Sequence, residues 1–244
     1  MISASHNLFE DNGIKFFNKD GQKFSAELEK RIESKLTQDM VAVDSINLGK
    51  AARMNDAQGR YIEFCKSTFL GLDLTGLSIL LDCANGATYS VAPKVFEELG
   101  AEVHAIGSSP DGININQNCG STSPEFLKEE IAKGEYDLGI AFDGDGDRIL
   151  IVSSNGDILD GDDILYILSH HLTEGSGVIG TLMTNKALEI HFEENNIDFY
   201  RSDVGDKYVL QKLVERNWLL GGEPSGHIIC LDSAPTGDAI IAAL

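Results

Sequence analysis

Phe142 Asp143 Gly144 Asp145 Gly146 Asp147 Arg148 separates two apolar runs, Leu138 to Ala141 and Ile149 to Val152. The runs read as strands, and the acidic stretch as the loop between them. Three carboxylates at alternate positions, spaced by glycines that permit tight or left-handed backbone, can converge their oxygens on one hard cation. Like charges this close repel, so they need a cation or an arginine beside them, and Arg148 is adjacent. An EF-hand loop beginning at Asp143 would require Gly where Arg148 stands and Glu where Ser154 stands, which excludes that calcium loop. A solvated Asp/Gly turn is the plainer alternative, and the threefold repeat weighs against it. The donors are oxygen only, without a nearby His or Cys, which favours Mg²⁺ over zinc.

Outward from this loop, strands and helices alternate. On its N-terminal side the pattern predicts helix Asp56 to Leu70, with Tyr61, Phe64 and Cys65 on its apolar side, then strand Leu77 to Leu81. Helix Val91 to Leu99, stopped by Gly100, strand Ala101 to Ile106, a polar loop from Gly107 to Ser123 and helix Pro124 to Lys133 follow. On its C-terminal side a second unit runs through helix Asp162 to Leu172, strand Val178 to Met183, helix Lys186 to Glu194, strand Ile197 to Arg201 and helix Val204 to Arg216. It ends in Trp218 to Leu220, a glycine-rich loop and strand Ile228 to Leu231. Such alternation implies two similar three-layer α/β domains with mixed, mostly parallel sheets, joined near Ser153 to Asp160. Sites in this class collect at the carboxyl ends of strands.

The first fifty residues are less regular. Ile14 to Phe17 reads as a short strand, Asp20 and Gly21 as a turn, and Phe24 to Leu36 as a helix capped by Ser25. The expected division is 1–50 as the C-terminal remnant of a first domain, 51–153 as a second and 154–244 as a third, with a fourth absent. Both ends read as cut, which makes the chain an internal fragment.

Lys and Arg total 19 against 39 Asp and Glu, a formal charge of −20. Such a surface repels nucleic acid and anionic membranes, so neither is an expected partner, and an anionic substrate needs a local basic pocket or a metal. Cys65, Cys83, Cys119 and Cys230 form no CxxC pair. They read as reduced, buried thiols of a cytoplasmic protein.

Ser3 Ala4 Ser5 His6 Asn7 is a small polar loop near the start, and Gly222 Glu223 Pro224 Ser225 Gly226 His227 lies in the glycine-rich loop near the end. Ser5 alone is a turn serine. A serine that carries a phosphoryl group, however, needs only a metal to neutralise the phosphate and an acid or base for the exchanging hydroxyl. Glu223 and Ser225, two apart, could both face one pocket and bind neighbouring hydroxyls.

Together with Asn12 Gly13 Ile14 Lys15 and Asp143 to Arg148, these motifs occur in the order seen in the α-D-phosphohexomutase superfamily, and the chain resembles that superfamily from end to end. Within it, Asp11 to Phe17 and Val204 to Val209 are most similar to the bacterial branch that works on phosphorylated hexosamines. The resemblance implies that Ser5 carries the phosphoryl group and lends a phosphate oxygen to Mg²⁺, whose other ligands are Asp143, Asp145 and Asp147. It implies that Arg148 orients the serine loop, that Lys15 and His6 move protons, and that Glu223, Ser225, His227 and Lys207 meet the sugar. The implied reaction is a ping-pong exchange of 6-phospho and 1-phospho sugars through a bisphosphate, which also acts as activator. A homodimer is compatible with it.

Leu8 stands where the superfamily usually has proline, which relaxes the serine loop, and Pro224 stands where this branch has a polar residue. The Arg/Ser/Thr/Gly-rich loop that holds the non-reacting phosphate in this family falls outside the chain, so the isolated chain is expected to turn over poorly. Three alternatives stay open: a phosphomannomutase or phosphoglucomutase of the same superfamily, a haloacid-dehalogenase-type phosphatase, and a non-catalytic metal-binding fragment. The phosphatase shares a strand ending in Asp143 and Asp145, but has Thr or Val where Asp147 stands and leaves the serine loop unexplained.

Overall fold

The computed structural model describes residues 1–19, 21, 23–171 and 176–244. A two-stranded antiparallel hairpin opens the chain, β1 (Ile2–Ser3) with β2 (Gly13–Ile14), in the register Ile2 to Ile14 and Ser3 to Gly13. The expected strand to Phe17 stops at Ile14, and Phe17 instead makes a single bridge to Lys23. Helix α1 (Ala26–Leu36) follows, with the Ser25 hydroxyl accepting from the Leu28 N–H at 3.3 Å. Asp20 of the expected turn and Leu172 at the expected end of a later helix lie outside the described residues.

Two sheets hold the rest. The first joins β3 (Ser78–Asp82), β4 (Glu102–Ile106), β5 (Leu138–Phe142), β6 (Ile149–Ser153) and β7 (Ile158–Leu159) in the order β4-β3-β5-β6-β7. Pairs β4/β3 and β3/β5 are parallel, while β5/β6 and β6/β7 are antiparallel. Its helices are α2 (Ala57–Thr68), α3 (Ala92–Glu98) and α4 (Pro124–Ile131). Proline at the first turn of α4 sacrifices no hydrogen bond, because that N–H has no helical partner in any case. On α2 the buried residues are Ile62 and Cys65. The expected apolar position Phe64 is 41% exposed, so the helix seats a narrower stripe than its composition suggests.

The second sheet orders β8 (Gly177–Thr181), β9 (Asp198–Ser202), β10 (Leu220–Gly222) and β11 (Ile228–Cys230) as β11-β10-β8-β9. Here β10/β8 and β8/β9 are parallel and β10/β11 antiparallel. Its helices are α5 (Gly161–Ser169), α6 (Lys186–Glu194), α7 (Asp206–Arg216) and the short α8 (Ala239–Ala243). Asp160 and Asp163 form a reciprocal capping box at the start of α5. β8 ends at Thr181, short of the expected Met183, because the Thr184 hydroxyl accepts from the Thr181 N–H at 2.9 Å and closes a turn. The architecture is mixed α/β, as expected from the alternating pattern.

Both sheets are covered on two faces. Leu127 and Ile131 of α4 pack with Leu80, Ala141 and Val152 on one face of the first sheet. Val209 and Leu213 of α7 pack with Ile179, Trp218 and Ile229 on one face of the second. The other faces share a single core: Ile62, Val95, Phe96, Ile140 and Phe142 belong to the same buried cluster as Ile164, Leu165, Val178, Phe192 and Ile240. Each such fully buried aliphatic or aromatic side chain contributes about 1.5–3 kcal/mol. The stretch Ser153 to Asp160 is therefore no free linker; it carries β7, paired to β6. Among the described residues no helix is long and apolar enough to cross a membrane.

Candidate active site

The acidic loop is a hairpin connection from β5 to β6. Asp143 is fully buried, and its Oδ1 accepts N–H bonds from Gly146 at 3.1 Å and from Asp147 and Arg148 at 3.0 Å. The side chain thereby builds the loop that carries the other two carboxylates. Gly146 sits at φ +76°, a conformation that glycine adopts without strain. Asp145 Oδ2 accepts from the Ser3 hydroxyl at 2.7 Å and from Lys15 Nζ at 2.5 Å, which ties the β1/β2 hairpin to the loop.

One oxygen of each carboxylate remains without a hydrogen-bond partner although it is buried: Asp143 Oδ2, Asp145 Oδ1 and Asp147 Oδ1. Potential ligand atoms of the three lie within 4.8 Å of one another. Burial, together with the charges of Asp147 and Asp145, pushes the Asp143 carboxyl up. Burial acts the same way on Asp147, but His227 and Lys15 outweigh it and hold that carboxyl low. Asp143 therefore resists ionisation on its own, and a divalent cation is a charge that would relieve it. Buried, unpartnered oxygens converging in this way are a donor set fitted to a hard divalent metal ion.

The serine loop lies against this loop. Ser5 adopts φ +54°, and its carbonyl accepts from Asn116 Nδ2 at 2.8 Å, as does the Asn7 carbonyl at 2.7 Å. A Cβ on Gly144 would come within 2.5 Å of the Ser5 carbonyl oxygen, so the two loops can meet this closely only at a glycine. Leu8 has φ −72°, a value that a proline would also adopt.

Ser5, Lys15, Lys23, Asp147, Arg148, Gly205, Asp206, Glu223 and His227 line one small cleft of about 170 Å³. Glu223 is buried and its Oε1 accepts the Gly205 N–H at 2.9 Å. His227 places Nδ1 3.6 Å from Asp147 Oδ1 and Nε2 3.9 Å from Asp206 Oδ2. Burial works against a charge on Lys15, yet its hydrogen bond to Asp145 and the surrounding carboxylates raise it above the usual lysine range. His6 is lowered, by burial first and then by the Arg148 charge, and its Nδ1 is buried without a partner.

Two expected members stand elsewhere. The turn closed by the Gly226 N–H on the Glu223 carbonyl, at 2.9 Å, buries Glu223 but leaves Ser225 exposed, so the two do not face one pocket. Lys207 lies outside the cleft lining, with its ammonium 5.0 Å from the centre of the Tyr208 ring. Conversely, sequence reading misses Asn116, hidden in a polar stretch that reads as loop, and the ion pair between Lys23 and Asp206, which joins residues 183 positions apart.

Three domain models described as phosphoglucomutase/phosphomannomutase α/β/α domains I, II and III match residues 1–42, 60–156 and 160–244. A phosphoglucosamine mutase of Marinomonas sp. (strain MWYL1) is 57% identical over all of this chain and 56% of its own length. One of Legionella pneumophila (strain Corby) is 55% identical over all of this chain and 55% of its own. The chain thus spans about half the length of the curated relatives it matches. The crystal structure of a putative phosphomannomutase from Thermus thermophilus superposes over 100% of this chain and 57% of its own, with a TM-score of 0.83 at 21% identity. Aspergillus fumigatus N-acetylphosphoglucosamine mutase, solved with GlcNAc-6P and magnesium, gives a TM-score of 0.73 at 16% identity, over 100% and 68% of the two chains. Domain models that together run through nearly the whole chain, and relatives more than half identical along its length, place it in the phosphoglucomutase/phosphomannomutase family.

Proposed function

We propose that the protein to which this chain belongs is a phosphoglucosamine mutase, interconverting glucosamine 6-phosphate and glucosamine 1-phosphate. The observation that carries the reading is the apposition of Ser5 to the acidic loop, through Asn116 and Gly144, in a cleft that also holds Lys15, Arg148, Glu223 and His227. The names and identities of the relatives support the substrate.

In this reading Ser5 Oγ carries the phosphoryl group. Mg²⁺ on Asp143, Asp145, Asp147 and an oxygen of that phosphate would neutralise charge as the group moves. His6, lowered and therefore neutral at pH 7, accepts the proton of the attacking sugar hydroxyl while the P–O bond to Ser5 breaks. Lys15, held charged by Asp145, supplies the proton that Ser5 Oγ takes up. Arg148 orients the serine loop, and Glu223 and His227 bind the sugar. The bound bisphosphate reorients and returns its other phosphate to Ser5. The same bisphosphate reloads Ser5 when its phosphate is lost, which makes it the activator. Ser225 and Lys207, which do not line the cleft, would reach the sugar only through a change in the turn or side chain.

The test is kcat/KM of the full-length protein for glucosamine 6-phosphate, mannose 6-phosphate and glucose 6-phosphate, with Mg²⁺ and bisphosphate present. The amino sugar is expected to be preferred, and Ser5→Ala to abolish turnover. A preference for mannose or glucose 6-phosphate would move the substrate within the family, and undiminished turnover in Ser5→Ala would overturn the phosphoserine.

A further inference from the structure

Residues 237–239 have no part in the reaction above, yet they meet the acidic loop directly. The Ala239 N–H donates to the Gly146 carbonyl at 3.0 Å. The Gly146 N–H in turn donates to both the backbone oxygen and Oδ1 of Asp143, each at 3.1 Å. Gly146 is held from both sides. Next to Ala239, a Cβ on Gly237 would overlap the His227 imidazole, so the chain passes flat against the ring that faces Asp147. One short segment therefore backs the loop at two points.

Asp238 fixes that segment. Its Oδ1 accepts from the N–H groups of Ile240 at 3.1 Å and Ile241 at 3.2 Å, capping α8. Its Oδ2 accepts from the Tyr61 hydroxyl on α2 at 2.8 Å. Ala239 and Ile240, immediately after it, are buried in the core shared by both sheets. The carboxylate thus uses both oxygens to join a helix of the first sheet to the strut that props the loop.

We propose that Asp238 is a positioning residue for the metal-binding loop, with Tyr61 as its partner: it aims the Ala239 N–H at Gly146 and sets the spacing of the three carboxylates. The inference rests on the reading that this loop binds a divalent cation. Removing a group that orients ligands from behind typically costs about 10–100-fold in metal affinity, because the ion must then order the loop itself.

The experiment titrates Mg²⁺ into the metal-free 244-residue chain by calorimetry, alongside thermal melting and amide exchange at Ala239. Asp238→Ala is expected to weaken binding about tenfold, within the range for such supporting contacts. Tyr61→Phe should give a smaller loss in the same direction, with Ala239 exchanging faster in both. Asp238→Asn, which keeps a capping oxygen and can donate to the Tyr61 oxygen, should bind close to the unsubstituted chain. If melting falls in Asp238→Ala and Tyr61→Phe while affinity stays unchanged, Asp238 is only a helix cap and the proposal is overturned. If Asp238→Ala does not fold, Tyr61→Phe decides alone. Failure of the unsubstituted chain to bind Mg²⁺ would instead overturn the metal reading itself, and this inference with it.

Discussion

Asn116 holds Ser5 by its backbone: one side-chain nitrogen donates to the Ser5 carbonyl at 2.8 Å and to the Asn7 carbonyl at 2.7 Å. Ser5 is a non-glycine residue in the left-handed region, which costs about 1–3 kcal/mol and persists only where neighbours enforce it. Asn116→Ala removes the enforcement, and each lost bond is worth about 1 kcal/mol. Ser5 should then take up less phosphate from a sugar bisphosphate, read by mass spectrometry of the full-length protein, while far-ultraviolet circular dichroism stays unchanged. Undiminished phosphorylation would show that the serine loop is positioned by something else.

Gly144→Ala probes the same contact from the metal side. The new methyl would stand within 2.5 Å of the Ser5 carbonyl and 2.6 Å of Asn116 Nδ2, so the serine loop must retreat. A displacement of about 1 Å is enough to cost about 100-fold in a transfer that depends on position. Steady-state kcat of the full-length protein should fall by that order, with Mg²⁺ affinity retained because Asp143, Asp145 and Asp147 are untouched. Loss of metal affinity would mean that the glycine serves the acidic loop rather than the serine.

A divalent cation should stabilise the chain by binding only where the three carboxylates are assembled. At a concentration about 100 times Kd the gain is about 2.7 kcal/mol, which for a chain of this size raises Tm by about 5–10 °C. Chelation should reverse it. Asp143→Ala should abolish the response and also lower the metal-free Tm, because the Asp147 and Arg148 N–H groups lose their acceptor and Gly146 loses one of its two. A metal response that survives in Asp143→Ala would place the cation elsewhere.

The thiols predict behaviour in alkali. Burial raises Cys65, Cys83 and Cys230 from 9 to about 12, and Cys119 to about 11. A thiol raised on folding contributes stability that is fully present below its unfolded value and lost as pH climbs through the folded one. Urea midpoints should therefore fall between pH 9 and about 12. At about pH 8 the buried thiols Cys65, Cys83 and Cys119 should react with an aromatic disulfide only on the timescale of unfolding, since the thiolate is the attacking form, whereas Cys230 is only half-buried; immediate reaction of more than one thiol in the folded chain would contradict that burial.

The legible parts of this molecule are those set by local chemistry. Alternating apolar runs mark the strands to within a few residues, Ser25, Pro124 and Gly100 mark helix ends, and the triple Asp/Gly repeat marks the acidic loop because its chemistry resides in its spacing. Nonlocal geometry is not legible. Asn116 looks like any loop asparagine until Ser5 is placed beside it, and Lys23 and Asp206 acquire meaning only when distant segments meet. Ser225 escapes for a related reason: a spacing of two suggests one face only in an extended chain, and a turn at Glu223 to Gly226 breaks that rule. The apolar stripe of α2 is narrower than its residues suggest because composition alone does not say which side another helix covers.

The core that passes from Phe96 and Ile140 to Ile164 and Ile240 leaves the two sheets no hinge. Acidic loop and glycine-rich loop ride on one stiff platform, and the gap between Asp143 and Glu223 is a fixed gauge rather than a jaw. The hairpin that presents Ser5 is attached differently, mainly through side-chain bonds with Asn116 and Asp145, with Ile2 and Ile14 exposed. On the proposed phosphoserine reading, whatever opening the cycle demands falls on that lightly tethered edge, so the serine loop moves while the acidic loop stays still.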